Sequence, residues 1–382
     1  MKVAYITNYD SEDVRNWSGT GYYIAENFKK QGVELIRINC FLKFSFFLKL
    51  KRKLTKLFSK KLLLIERESI YLKKMAERAK QQLSQTDYDI IFSPGSLSIA
   101  YLKSNKPIVF YADATFDCLM DLYLLGKQPA KHSIRQGNLA ESSALQNASL
   151  VFYTSEWAVE SAVKKYHADS GKVLQSTFGA NMYCNKTQVE IMEMITRRQQ
   201  KKEKSFLFIG VDWHRKGAAK AIETVAALNN NGMKATLSLV GCKIPKGVIL
   251  PEFVRYYPFI SKTDKEGLAL LNRLFEEACF FILPTIADCT PIVFSEAASY
   301  GVPVFTTDVG GCKSVVIDNE TGYCINEENF IEVASKKIQE LCDCEMAYES
   351  MSLNAYNRYQ KELNWNVITT RTLDAMKRLI YT

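Results

Sequence analysis

Histidine is scarce in this chain: three residues in 382, namely His132, His167 and His214, far apart in sequence. A zinc centre has little to draw on, because the ten cysteines form no C-x-x-C pair and the nearest two are Cys342 and Cys344. Several cysteines, Cys242, Cys279 and Cys324 among them, stand in apolar surroundings, as expected of buried thiols in a reducing compartment. No apolar run approaches the roughly 18 residues that a membrane-spanning helix needs. The opening stretch Met1–Asp10 soon turns acidic and predicts a first strand, not a secretory signal. The expectation is a cytosolic protein with no metal site. Acidic residues are also missing over one long interval, Leu35 to Ile65.

That interval carries nine basic residues, which equals the net charge of +9 for the whole chain. Phe41, Phe44, Phe46, Phe47, Leu50, Leu54, Leu57 and Phe58 are interleaved with them. From Phe47 onward the apolar positions recur near helical spacing. A basic amphipathic helix of this kind suits an anionic membrane surface, with Phe47, Lys51, Arg52, Lys53 and Lys56 facing it. Packing of the same helix on the protein's own sheet is the competing expectation. Nucleic acid is not expected as a partner, since no zinc-finger, helix-turn-helix or RNA-recognition signature accompanies the charge.

A hydrophobic content of 47% and a charged content of 24% are those of a soluble globular protein, and the length suits two domains. Short β-type runs alternate with helical stretches throughout, which predicts βα units and parallel sheets. Strands are expected at 3–7, 34–39, 90–93, 108–112 and 150–154, then at 206–211, 235–240, 254–257, 280–283, 304–307 and 323–326. Residues 185–204 show no strand signal and turn from acidic to basic, so they are expected to be an interdomain linker. The predicted organisation is an N-terminal domain at 1–184, a C-terminal domain at 205–360, and a helix at 361–382 crossing back to the first domain. The fold class is then α/β with two doubly wound, Rossmann-like sheets, and a ligand is expected in a cleft between the domains.

Four segments have residues suited to chemistry. Asn16–Tyr23 follows the first strand, and its Gly19 and Gly21 permit a tight turn into a helix whose N-terminus suits an anion; a plain turn is the alternative. Gly210–Gly217 follows the strand at 206–211 with Arg215 and Lys216 adjacent, a forked donor beside a point charge, as a diphosphate clamp requires. Adjacent surface cations are the bland reading. In the third, the strand at 280–283 leads into a Pro-containing loop with Asp288 and then a helix with Glu296. There the amides of Ile292 and Val293 could meet phosphate oxygens and Glu296 a vicinal diol, although an acid near a helix start is also favoured by the dipole. Asp113, after the strand at 108–112, is placed either to bond a substrate hydroxyl or to cap the next helix.

Val211–Gly217 resembles the Arg/Lys-Lys-Gly segment of retaining nucleotide-sugar glycosyltransferases of family 4, which have the GT-B fold. Asp288 to Glu296 resembles that family's E-x7-E element with Asp for the first Glu, and Trp17–Tyr22 is similar to its glycine loop. Ala148–Trp157 and Phe178–Asn181 look like its segments before the linker. The resemblance implies transfer of a sugar, with retention and without a metal or other cofactor, from a UDP- or GDP-linked donor to a hydroxyl acceptor. It implies that Arg215 and Lys216 hold the diphosphate, Glu296 the ribose and Asp288 the hydroxyls of the transferred sugar. Gly19 and Gly21 would line the phosphate side, and the backbone near 258–260 the base. It further implies that the leaving phosphate helps to deprotonate the acceptor. Asp113 stands where many members carry a histidine, and Asp288 is shorter than the usual Glu; both departures bear on which sugar is carried.

The expected setting is bacterial surface polysaccharide or glycolipid assembly at the cytosolic membrane face, with a glycan or lipid-linked sugar as acceptor. The alternatives are a sugar-nucleotide epimerase of similar fold and a non-catalytic nucleotide-sugar or glycan-binding protein. A nicotinamide-dependent oxidoreductase is disfavoured, because the first loop lacks the full G-x-G-x-x-G fingerprint.

Overall fold

The structure, a computed structural model, describes residues 1–123 and 128–381. Its contacts divide the chain into two compact units: Met1–Thr177 together with the chain from Ile368 onward, and Phe178–Val367.

The first unit is built on β1 (Lys2–Thr7), β2 (Glu34–Asn39), β3 (Ile90–Ser93), β4 (Ile108–Ala112), β5 (Leu150–Tyr153) and β6 (Val173–Gln175). The order is β2-β1-β3-β4-β5-β6 and every pairing is parallel. In β3, β4 and β5 every residue is buried, so these strands read as continuous apolar runs and not as an alternation. β6 escapes a sequence reading because it has three residues, two of them exposed.

The second unit has β7 (Glu203–Ile209), β8 (Lys234–Val240), β9 (Val254–Tyr257), β10 (Phe280–Leu283), β11 (Val304–Thr307) and β12 (Gly322–Ile325). Its order, β12-β11-β10-β7-β8-β9, is again parallel throughout. The chain winds from β7 out to β9, returns to place β10 against the other side of β7, and winds out to β12. β7 and β10 are neighbours at the reversal, so the loops that follow them start side by side at the strands' C-terminal ends, where open α/β sheets hold ligands.

The expected linker at 185–204 is corrected by the structure. Gln188–Gln200 is a helix opened by a capping box between Thr187 and Glu190, and β7 starts at Glu203. Ile191, Met194 and Ile195 join the hydrophobic core of the second unit. Arg198, within the stretch expected to be a linker, is fully buried. Its guanidinium donates to the carbonyls of Phe275 (3.0 Å), Glu276 (3.0 Å) and Tyr300 (2.9 Å). Those carbonyls close the helices Lys265–Glu277 and Ile292–Ser299, whose C-terminal ends carry the negative pole of the helix dipole. Backbone dipoles therefore compensate this buried cation in place of a carboxylate.

The C-terminal part, expected to be helical, consists of Phe330–Asp343, Glu345–Glu362 and Trp365–Tyr381. The last helix begins in the second unit, where the Trp365 ring N–H donates to Asn181 Oδ1 at 2.8 Å. From Ile368 on it counts with the first unit, where Gln31 Nε2 donates to Thr369 Oγ1 at 2.6 Å.

Arg198→Ala strips these carbonyls of their donor inside the core. The second unit should lose about 3 kcal/mol of stability, read as a lower urea midpoint for its unfolding transition with that of the first unit unmoved.

Candidate functional site

The loops after β7 and β10, on either side of the sheet reversal, are tied together by hydrogen bonds. The Arg215 carbonyl accepts from Ile286 N at 2.8 Å and from Thr285 Oγ1 at 2.9 Å. In return, Arg215 Nη1 donates to the Ala287 carbonyl at 2.9 Å. Gly217 lies against the backbone of Pro284. It has φ +74°, ahead of the helix Ala218–Asn230, and a Cβ there would run into the Pro284 carbonyl oxygen. Only glycine satisfies both demands.

This contact brings Arg215 and Lys216 to Asp288 across 73 and 72 positions of sequence. Lys216 Nζ forms an ion pair with Asp288 Oδ2, and Arg215 Nη1 lies 3.5 Å from the same oxygen. The Lys216 and Asp288 side chains are 12% and 9% exposed, so this charged cluster is largely withdrawn from water. Neither charge is left without a counter-charge there.

Behind Asp288 the chain enters the helix Ile292–Ser299, whose N-cap is Pro291 and whose first turn has no side-chain cap. Ile292 and Val293, expected to offer amides, open that turn and are half-buried. Glu296 lies one turn further in and is 1% exposed. Its Oε1 forms an ion pair with Lys262 Nζ, from the loop between β9 and the helix Lys265–Glu277. Lys262 was not singled out from the sequence, since 34 residues separate it from Glu296 and no local spacing marks the pair. His214, beside Arg215 in the same loop, is exposed.

In the first unit, Gly19 follows Trp17 and Ser18, all three with positive φ, and Thr20–Lys30 is the helix they introduce. Gly21 lies under the Tyr9 ring, where a Cβ would collide with the phenol oxygen, and its carbonyl accepts from Tyr5 Oη at 2.6 Å. Smallness at position 21 thus serves packing within this unit. Asp113 directly follows β4 and is half-buried. It is not the cap of the next helix: that helix, Phe116–Leu122, is capped by Thr115, whose hydroxyl accepts from Cys118 N. Burial and the nearby Asp113 carboxylate together push the Tyr9 hydroxyl well above the ordinary tyrosine range, which keeps it a proton donor.

The basic segment forms the helix Phe46–Ser59, with Ser45 as N-cap and left-handed Lys60 at its end. Of its described residues Leu48 alone is buried, which overturns the expectation that it packs on the sheet. Phe46, Phe47, Leu57 and Phe58 are 73%, 79%, 69% and 82% exposed. At helical pitch they share one face with Leu50 and Leu54, next to a face bearing Lys49, Arg52, Lys53 and Lys56. Lys51 departs from its expected membrane-facing position. It lies on the protein side, 3.1 Å from Glu68, which His132 also contacts at 3.0 Å. Among the described residues no helix is long and apolar enough to cross a membrane.

Residues 193–358, which hold Arg215, Lys216, Lys262, Asp288 and Glu296, match the family described as Glycosyl transferases group 1. A glycogen synthase of Mycobacterium tuberculosis is 25% identical over 182 residues, 46% of this chain and 43% of its own length. The chain therefore spans less than half of that relative. The capsular polysaccharide biosynthesis glycosyltransferase CapM of Staphylococcus aureus is 22% identical over 243 residues, 60% of this chain and 62% of that one. Among solved structures, the sucrose-phosphate synthase of Thermosynechococcus elongatus superposes with a TM-score of 0.69 at 16% identity, covering 100% of this chain and 99% of the other. Anabaena HepE in complex with UDP-glucose gives 0.62 at 14% identity, covering 99% and 100%. The chain has the GT-B fold, an α/β architecture of two doubly wound units.

Gly217→Ala should push the two loops of the second unit apart. We expect a stability loss of about 2 kcal/mol or more from the left-handed backbone and the Pro284 collision, measurable as a lower melting temperature.

Proposed function

We propose that this protein is a retaining, metal-independent glycosyltransferase of family 4. It moves a sugar from a UDP- or GDP-linked donor to a hydroxyl of a glycan or lipid-linked acceptor. The observation that carries the reading is the Arg215–Lys216–Asp288 cluster with Glu296, set on the two loops at the sheet reversal inside the segment that matches group 1 glycosyl transferases. Crevices at such reversals are where open α/β sheets hold nucleotides.

In this reading the donor takes over contacts that the site's side chains make with one another. The diphosphate takes Arg215 and Lys216, the uncapped first turn at Ile292 and Val293 offers amides to its oxygens, and Asp288 turns to the sugar hydroxyls. Glu296 takes the ribose hydroxyls. The bond between the anomeric carbon and the diphosphate oxygen breaks, and its electron pair leaves with the diphosphate. The acceptor oxygen bonds to the anomeric carbon on the same face, and its proton passes to the departing phosphate oxygen. The cations and amides stabilise the charge that grows on that leaving group. Within the first unit, Gly19 and Gly21 keep their assignment as a glycine loop and Asp113 its assignment as a group that bonds a substrate hydroxyl. UDP is the first donor nucleotide to try, because HepE is described with UDP-glucose. CapM supports a place in surface polysaccharide assembly.

Thermal shift should show stabilisation by UDP or GDP and none by nicotinamide cofactors; stabilisation by the latter alone rejects the transferase. Replacing Arg215 and Lys216 together by Ala should lower donor turnover by about 10³-fold or more with the circular dichroism unchanged. Wild-type rates in that variant would remove their assigned role.

The same proposal sets the enzyme on the inner face of the plasma membrane through the helix Phe46–Ser59. Its exposed apolar face would enter an anionic bilayer while the adjoining Lys49, Arg52, Lys53 and Lys56 meet the headgroups, a charge match that a neutral partner would not offer. Changing those four residues to Glu should cost liposome binding at least about 100-fold at roughly 1 kcal/mol per basic residue. Equal flotation of the variant with phosphatidylglycerol vesicles would defeat the membrane assignment.

A further inference from the structure

Glu296 is an enclosed carboxylate, 1% exposed, on a short helix inside the second unit. The ammonium that meets it is carried by a long, flexible side chain, itself 30% exposed, from a loop outside the helix. That loop has a fixed shape. Asp264 caps the helix Lys265–Glu277 by accepting from Gly267 N at 2.6 Å. The Ser261 carbonyl lies where a Cβ on residue 267 would be, so only glycine admits the turn. Ser261 and Thr263 join their hydroxyls at 2.6 Å on either side of Lys262. The lysine is thus presented to Glu296 by an ordered turn.

The charges around the sheet reversal make the same point. Arg215, Lys216 and Lys262 face Asp288 and Glu296, and Arg215 Nε also lies 3.9 Å from Asp212 Oδ2. Asp288 is already met by two cations, and Lys262 meets Glu296 without drawing on the pair assigned to the diphosphate. A carboxylate accepts from both hydroxyls of a pentose diol when its oxygens are held in place, and an ammonium on one of them fixes that oxygen.

We propose that Lys262 is a donor-positioning residue, which fixes Glu296 so that the site discriminates a ribonucleotide from one lacking the 2′- and 3′-hydroxyls. This rests on the donor-site reading of Glu296 given above. A tether that merely holds the loop would support the fold and would treat both nucleotides alike.

The test compares binding of UDP and GDP with their 2′,3′-dideoxy counterparts by calorimetry, for wild type, Lys262→Met, Lys262→Arg and Glu296→Gln. Wild type should prefer the ribonucleotide, and Lys262→Met should reduce that preference about tenfold, the worth of one hydrogen bond to a charged group. Lys262→Arg should restore most of it. Glu296→Gln should lose the same preference, and adding Lys262→Met to it should change little further, since both act through one contact. In turnover assays Lys262→Met should raise the donor KM by more than it lowers kcat. An unchanged ribose preference in Lys262→Met, or full additivity with Glu296→Gln, overturns the role of Lys262 and leaves the transferase standing. Failure of wild type to bind either diphosphate overturns both.

Discussion

The side-by-side pairing of β7 with β10 is the constraint on which the second unit's chemistry depends. These strands are separated in sequence by β8, β9 and two helices, yet they are hydrogen-bonded neighbours. Their following loops therefore start together and share a boundary, and Gly217 allows the Pro284 carbonyl to close it. Two cations from one loop then reach a carboxylate from the other. A different strand order would leave the same residues in the chain with no cluster.

Burial gives those charges their character. Asp288 and Glu296 are both withdrawn from water, and in a low-dielectric setting an ionised carboxylate persists only with a counter-charge or hydrogen bonds. Each has a cation within the unit. Arg198 shows the same rule met differently, with the carbonyl ends of two helices in place of an acid.

Much of the architecture was legible in the chain. Fully buried parallel strands are short apolar runs such as Phe280–Leu283 and Ile108–Ala112, and these have the bounds expected of them. Helix starts were less legible: the sequence marks a helix with Glu296 after the Pro-containing loop, and the structure sets its first residue at Ile292 with Pro291 as its cap. The misreading of 185–204 has a clear cause. A stretch crowded with Arg, Lys and Gln resembles a solvated connection, and the carbonyls that receive Arg198 come from 77 to 103 residues further along the chain. The basic helix at 46–59 could be recognised as amphipathic, but which side was left uncovered could not.

Arg215, Lys216, Asp288 and Glu296 could be singled out from sequence because each lies just after a recognisable strand, within a short segment of suitable side chains. Local chemistry and periodicity set those positions, along with the alternation of strand and helix. Lys262, the pairing of Lys51 with Glu68 and the cap at Thr115 had no such signal. Which charge meets which depends on strand order and on the turns of distant loops. Those are products of packing the whole unit, since an ion pair is defined by distance in space and the linear chain records distance only along itself.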